Sequence, residues 1–317
     1  MIQKKGLDVS MVIPMLNEED SISILLQEIL EVMNKIANTT FEILVVDDGS
    51  SDSSVQKVRD ISERIPEVRL IRLRRQFGQT AAMAAGIDRS TGRILLTLDA
   101  DGQNDPQDIP AILLKMSEGF DCVSGRRAKR QDKLLTRKIP SLIANALIRK
   151  ITKLEINDFG CTLKGYDGDL IRSIPIYGDM HRLLPYYVWL AGGKVFEIDV
   201  NHRPRRFGKS KYGIARTLRV INDLLVAKVQ GNYFTRPMHL FGTVGLLLLA
   251  LSSAIASIAV YLKFAGERDL IQSPLLLVAG ILLLTGFQVM FTGLLAEIIL
   301  RRFSFADREQ RYFVSEN

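Results

Sequence analysis

The 317-residue sequence predicts an α/β domain built on a mostly parallel sheet and followed by a two-helix transmembrane hairpin. Three observations carry that expectation. Short apolar runs alternate with helical patterns over the first hundred residues. Two long stretches near the C-terminus hold no charged side chain. The formal charge of +7 is spread very unevenly.

The apolar runs at 9–16, 41–46, 68–73 and 93–98 are rich in β-branched residues and read as strands. Between the first two, Ile22, Leu25, Leu26, Ile29 and Leu30 recur at helical spacing, and Met83, Ala84 and Ile87 do so more weakly. Strand–helix–strand alternation implies a mostly parallel sheet covered on both faces. Ligands of such sheets bind beyond the carboxyl ends of the strands, so the loops after Leu16, Val46 and Leu98 are where chemistry is expected.

No Asp, Glu, Lys or Arg occurs between Arg236 and Lys263, nor between Asp269 and Glu297. Each stretch exceeds the roughly 20 apolar residues that cross a hydrocarbon core. Spans at about 237–262 and 274–300, joined by a short linker, read as a hairpin, which argues against a wholly soluble enzyme. The outer flanks carry Arg236, Arg301, Arg302, Arg308 and Arg311, so both termini and the N-terminal domain are expected in the cytoplasm. Glu297, near the end of its span, can reach the interface. No signal peptide is expected at the N-terminus, and two cysteines, Cys122 and Cys161, make neither a disulfide framework nor a zinc site.

Residues 126–153 hold ten basic side chains against one acid, and residues 202–236 hold nine against one, so the rest of the chain is acidic. Both segments are also amphipathic. Ile139, Leu142, Ile143, Ala146, Leu147, Ile151 and Leu154 mark one apolar stripe, and Ile214, Leu218, Ile221, Leu225 and Val229 the other. Such helices lie in a membrane interface or pack on a domain core. The second, directly before a span, favours the interface. Local basic segments point to particular anionic partners and against nucleic acid. The expected organisation is a catalytic domain over 1–210, a juxtamembrane helix over 211–235, the hairpin over 236–300 and a tail over 301–317.

Asp47-Asp48-Gly49-Ser50 ends a strand with two acids and a turn. Carboxylates there can accept hydrogen bonds from a base or ribose, although Asp-Gly is also a plain turn signal. Asp99-Ala100-Asp101 is sharper, because alternate residues of an extended chain share a face. Two such carboxylates suit Mg²⁺ or Mn²⁺, which use one or two acids plus substrate phosphates. The plainer alternative is a solvated acidic loop before the helix at Pro106. Gly208-Lys209-Ser210 is no phosphate-binding P-loop, since Arg203 stands where its first glycine belongs, and no G-x-G-x-x-G occurs. Lys164 and His181 read as structural, and Val188-Trp189 lacks the Gln-x-x-Arg-Trp of processive synthases.

Together these motifs carry a resemblance. Pro14-Met15-Leu16-Asn17-Glu18, Asp47-Asp48-Gly49-Ser50 with Asp52, Gly78 through Gly86 and Asp99-Ala100-Asp101 occur in the order seen in inverting GT-A (Rossmann-like) glycosyltransferases. Asn157-Asp158-Phe159-Gly160-Cys161 and the run from Arg205 to Tyr212 resemble the polyprenyl-phosphate branch, which includes dolichyl-phosphate mannose synthase and bacterial bactoprenol glucosyltransferases. The resemblance implies that Pro14, Glu18, Asp47 and Asp48 surround the nucleoside, and that Asp99, Asp101 and Gln103 hold a divalent metal on the diphosphate. Arg126 would face the phosphates or the acceptor, and Arg205, Ser210 and Lys211 would grip a lipid phosphate. Asp158 would orient the acceptor or a sugar hydroxyl, or serve as a base. Ala215 departs from the aromatic that relatives often carry there.

The implied activity is transfer of a hexose, glucose from UDP-glucose, to undecaprenyl or dolichyl phosphate with inversion, at the cytoplasmic face of a bacterial plasma membrane. The expected partners are a nucleotide sugar, the polyprenyl phosphate, the membrane and a second copy of the chain, whose hairpin glycines Gly280, Gly286 and Gly293 permit close packing. Two rivals stay open: a GT-A transferase with a non-phosphorylated lipid or polysaccharide acceptor, and a non-catalytic membrane scaffold.

Overall fold

The computed structural model describes residues 7–128, 149, 154–176, 180–204, 237–265 and 274–306. The chain divides into two compact units, Met1–Leu224 with Phe313–Asn317, and Leu225–Tyr312. The expected domain limit at 210, the juxtamembrane helix and most of the stripe at 139–154 lie outside the described residues, as do Arg205, Ser210, Lys211 and Ala215.

The first unit opens β1 (Val9–Met15), α1 (Ile22–Met33), β2 (Phe41–Asp47), α2 (Ser54–Ser62), β3 (Val68–Arg72), α3 (Gln79–Ile87) and β4 (Ile94–Thr97). It continues α4 (Ile109–Ser117), β5 (Cys122–Arg127), β6 (Lys164–Asp167), α5 (Gly168–Ser173), α6 (Leu184–Leu190) and β7 (Val195–Val200). The seven strands form one sheet in the order β3-β2-β1-β4-β6-β5-β7. β1, β2, β3 and β4 run parallel, whereas β6 lies antiparallel to both β4 and β5. The sheet is therefore mixed but mostly parallel.

Alternation decides which side chain goes to which face. Met11, Ile13, Ile43, Val45, Leu96 and Val123 join Leu25, Leu26, Ile29 and Ile112 in one core. Val12, Leu44, Val46, Leu95 and Cys122 join Met83, Ile87, Leu170 and Leu184 in the other. Both faces are covered, which is why the strands read as continuous apolar runs. α3 sits close to the sheet because Gly86 has no Cβ; one placed there would crowd Val12 and meet Val46 Cγ2 at 3.0 Å. β1 lies between β2 and β4, and the connections after β1 and β4 leave opposite ways, which opens a crevice at their carboxyl ends.

The second unit contains two described helices, α7 (Pro237–Phe264) and α8 (Pro274–Ala306), packed along each other. Both are long and apolar enough to cross a membrane, with a mean hydropathy of 2.2. Leu247, Tyr261, Phe264, Leu277 and Leu284 point outward, as lipid-facing side chains do. The helices approach closely where Gly245 meets Gly286: a Cβ on Gly245 would lie 2.9 Å from the Gly286 carbonyl oxygen. Ser252 Oγ donates across the pair to Ala279 O at 2.7 Å. The described C-terminal region is thus a pair of packed apolar helices, each of the length and composition that a membrane span requires.

Candidate active site

The loops after β1 and β2 are stitched together by main-chain donors. Asn17, at φ 53°, donates its N–H to Ser50 Oγ (2.9 Å) and accepts from Ser51 N at Oδ1 (2.8 Å). Glu18 N donates to Ser54 Oγ at 2.8 Å, and Lys57 Nζ to Glu19 O at 2.9 Å. Gly49, at φ 83°, permits a turn in which a Cβ would lie 2.8 Å from Gln76 N. Pro14 is buried inside β1 opposite Val46.

The two acids of the turn separate in role. Asp47 is fully buried; it accepts from Ser50 N at 3.0 Å, and Arg72 Nε lies 3.9 Å from its other oxygen. Asp48 accepts from Phe77 N (2.7 Å) and Gly78 N (2.9 Å), so it shapes the loop that leads into α3. Asp47 therefore closes the turn from within, and Asp48 holds the wall of the crevice.

β4 ends at Thr97, and Asp99-Ala100-Asp101 continues into a turn with Gly102 at φ 69°. The expected extended geometry of the Asp-x-Asp run is thus replaced by a turn. The carboxylates still face each other's charge. Burial, and then repulsion from Asp101, push the Asp99 carboxyl up to about 7, against weaker pulls from Thr162, Arg182 and Arg127. Gln79 Nε2 donates to Asp99 Oδ1 at 2.7 Å, Gln103 N to Asp101 Oδ1 at 3.1 Å, and Ser21 Oγ to Ala100 O at 2.8 Å. Among the described residues no three His, Cys, Asp or Glu side chains gather to make a metal cage. Two mutually repelling acids without a third protein acid suit a hard divalent ion that brings its remaining oxygens from phosphates and water.

Asp158 stands in a different setting. Arg127 grips it with two charge-assisted hydrogen bonds, Nε to Oδ2 at 2.6 Å and Nη2 to Oδ1 at 2.8 Å. Gly160 N adds a third at 3.1 Å. Glu197 on β7 accepts from the backbone N–H groups of Asn157 (2.7 Å) and Asp158 (2.9 Å), which fixes the loop. The structure does not bring Arg126 to this cluster. Alternation turns it to the other face of β5, where it is exposed and pairs with Asp199. Arg127 is the residue that sequence reasoning passed over, because two adjacent arginines on a strand differ only in facing. The signal was available in Gly125, whose missing Cβ faces Cys161 Sγ at 3.1 Å and marks the same face as Arg127.

The buried groups beside the crevice are neutral or held. Lys164 Nζ donates to Phe159 O at 3.2 Å and Arg182 O at 3.4 Å, and burial lowers its pKa. Burial pushes His181 down to about 3, so the ring is neutral. It lies 2.7 Å from Thr80 Oγ1 through Nδ1, and Nε2 faces the Arg182 Nε–H at 3.4 Å, so Nδ1 carries the proton and donates to Thr80. Burial pushes the thiols up, Cys122 to about 12 and Cys161 to about 11, and neither is a nucleophile near neutral pH.

Residues 10–174, which hold the acid pair at the end of β4, match glycosyl transferase family 2. The chain belongs to this family. It is a glycosyltransferase with a GT-A fold. The chain is 40% identical to a dodecaprenyl-phosphate galacturonate synthase of Rhizobium johnstonii, over 98% of its own length and 93% of the relative's. It is 33% identical to an undecaprenyl-phosphate 4-deoxy-4-formamido-L-arabinose transferase of Photorhabdus laumondii, over 97% and 93%. Among solved structures, glucosyl-3-phosphoglycerate synthase from Mycobacterium tuberculosis, in complex with Mn²⁺, UDP and phosphoglyceric acid, superposes with a TM-score of 0.57 at 18% identity, over 70% of this chain and 79% of that one. That similarity concerns the fold. The alignments with the two relatives extend through both apolar helices, whereas the family match covers residues 10–174 of the sheet domain.

Proposed function

We propose that the protein transfers a sugar from a nucleoside diphosphate donor to a polyprenyl phosphate at the cytoplasmic face of a bacterial membrane, with inversion. One observation carries this reading: the recessed Asp99–Asp101 pair stands in a chain whose likeness to polyprenyl-phosphate sugar transferases runs through the membrane hairpin. The basic flanks of the hairpin support a cytoplasmic catalytic domain.

Asp99 and Asp101 would hold a divalent ion, Mg²⁺ or Mn²⁺, with Gln103 beside them; when bound, such an ion neutralises charge that develops on the departing diphosphate. Solved neighbours that carry UDP with Mn²⁺ or Mg²⁺ support the choice of ions. Glu18 and Asp48 would line the nucleoside end, with Asp48 keeping the Phe77–Gly78 backbone in place and Asp47 acting only from behind. Gln79 orients Asp99. The acceptor phosphate is largely ionised at neutral pH, its second pKa being about 6, so the reaction needs no strong base. Asp158, gripped by Arg127, is therefore read as an orienting group that aims a guanidinium at the phosphates, in place of the base role. Arg205, Ser210 and Lys211, outside the described residues, remain our assignment for the lipid phosphate. Direct displacement on the anomeric carbon inverts it, and catalysis rests on positioning and charge stabilisation.

The expected donor, UDP-glucose, competes with the sugars that the relatives' names print, galacturonate and 4-deoxy-4-formamido-L-arabinose. A donor panel with purified protein and a short polyprenyl phosphate separates them: radiolabel should enter organic-extractable lipid from one donor, in the presence of Mn²⁺ or Mg²⁺. Equal use of free polyprenol or diacylglycerol as acceptor would overturn the assignment, and no transfer from any nucleotide sugar would favour a scaffold.

A further inference from the structure

The strap that leaves β7 lies along the metal loop. Asn201 N donates to Asp108 Oδ2 at 2.7 Å, His202 bridges Asn104 in antiparallel fashion, and Arg203 N donates to Gln103 O at 2.9 Å. The loop is anchored beneath by Asn104 Nδ2, which donates to Thr162 Oγ1 at 2.8 Å. Arg203 then closes the strap with its side chain. Nη1 meets Glu28 Oε2 of α1 at 2.6 Å, and Nη2 meets Asp105 Oδ1 at 2.8 Å. All three side chains are largely removed from water, at 27%, 28% and 14% exposure, so these pairs are less screened than surface ones.

Two features suit the arrangement to positioning. A guanidinium is a rigid fork that can span two acids at once, which a lysine ammonium cannot match. Pro204 follows, and the residue before a proline is confined to extended backbone, which limits the direction of the Arg203 side chain. The two acids come from different elements: Glu28 from the helix whose N-cap Ser21 donates to Ala100 O, and Asp105 from the loop that carries Asp101 and Gln103. Arg203 thus ties α1, the metal loop and the strap at one point. In sequence the strap runs on into Arg205, Ser210 and Lys211.

We infer that Arg203 is a positioning residue that sets the Asp101–Gln103 loop for the divalent ion, through the Glu28–Arg203–Asp105 clamp. The inference rests on the donor and metal reading above. Loss of the clamp frees the loop, and the ion then contributes less to nucleotide binding.

The test uses the full chain in nanodiscs and measures UDP affinity with Mn²⁺ and with EDTA, alongside the thermal midpoint. The wild type should bind UDP more tightly with Mn²⁺. Groups that orient metal ligands typically change metal affinity by about 10- to 100-fold when removed, so Arg203→Gln should reduce the Mn²⁺-to-EDTA ratio by about tenfold or more. Arg203→Lys should fall between, and Glu28→Gln, which keeps the Asp105 half, should lose least. If Arg203→Gln fails to fold, the other two variants decide. An unchanged ratio in the folded variants overturns the clamp even if their midpoints drop, since a merely structural role moves the midpoint alone. No Mn²⁺-dependent UDP binding by the wild type would overturn the donor reading itself, and the clamp with it.

Discussion

The two acidic centres of the crevice are built on opposite principles. Asp99 and Asp101 hang from the end of β4 on main-chain and amide donors, and burial, followed by repulsion from Asp101, pushes Asp99 up to about 7. Asp158, across β6, is saturated by Arg127 and two backbone N–H groups. One centre is organised to receive positive charge, and the other already holds it. The same residue type therefore serves two purposes, decided by its partners and not by its own chemistry.

The comparison can be broken experimentally, beginning with the largest effect. Asp101→Ala should reduce sugar transfer about 10³-fold, the scale of removing a charge-stabilising group, while the protein keeps its fold. Radiolabel in extracted lipid and a thermal midpoint check both halves. A metal-independent Asp101→Ala enzyme with full activity would end the distinction between the two centres. Arg127→Ala should lose stability as well as activity, since it leaves Asp158 buried at 8% exposure without its main partner and removes the guanidinium from the phosphates. Removing one member of a buried pair destabilises by about 3–5 kcal/mol, readable as a drop in the denaturation midpoint.

A third prediction concerns the contact that joins the two halves of the sheet domain. Burial pushes His181 down to about 3 in the folded protein against an ordinary 6.5, so the unfolded chain binds more protons between those values. Stability is then lost as pH falls below 6.5 toward 3. Between pH 6.5 and 5 the loss should approach about 2 kcal/mol, at about 1.4 kcal/mol per unit. His181→Gln, which keeps a polar partner for Thr80, should flatten the difference between denaturation curves at pH 7 and pH 5. The smallest effect belongs to Arg126→Ala. Its exposed pair with Asp199 is screened by water, and both activity and midpoint should match the wild type. A large activity loss there, with Arg127→Ala active, would restore the expectation drawn from sequence.

Much of the sheet domain was legible. The four expected strands occur within a residue or two at each end, because two-faced burial leaves unbroken apolar runs that alternate with helices. The acid pair and the membrane hairpin were legible for similar reasons: a short motif at a strand end, and stretches free of charge. The later half was harder to read. β6 runs antiparallel to β4 and β5, which breaks the strand–helix–strand alternation, and the 3-10 turn at Met180–Arg182 has no periodic signature. Nothing local marks Arg203 as a clamp, since its two acids lie 175 and 98 positions away.

The sequence by itself determined what is local or periodic: strand positions, the order of the motifs, two apolar spans and the segregation of basic charge. Only the tertiary structure decided partnership. It put Asp158 with Arg127 and left Arg126 outside, made Asp47 a buried brace and Asp48 a wall, and closed Glu28, Arg203 and Asp105 into one clamp. The physical reason is that ion pairs and hydrogen bonds depend on distances of about 3 Å between groups far apart along the chain. Side-chain periodicity reports which face a residue takes relative to its neighbours, and only packing reports what waits on that face.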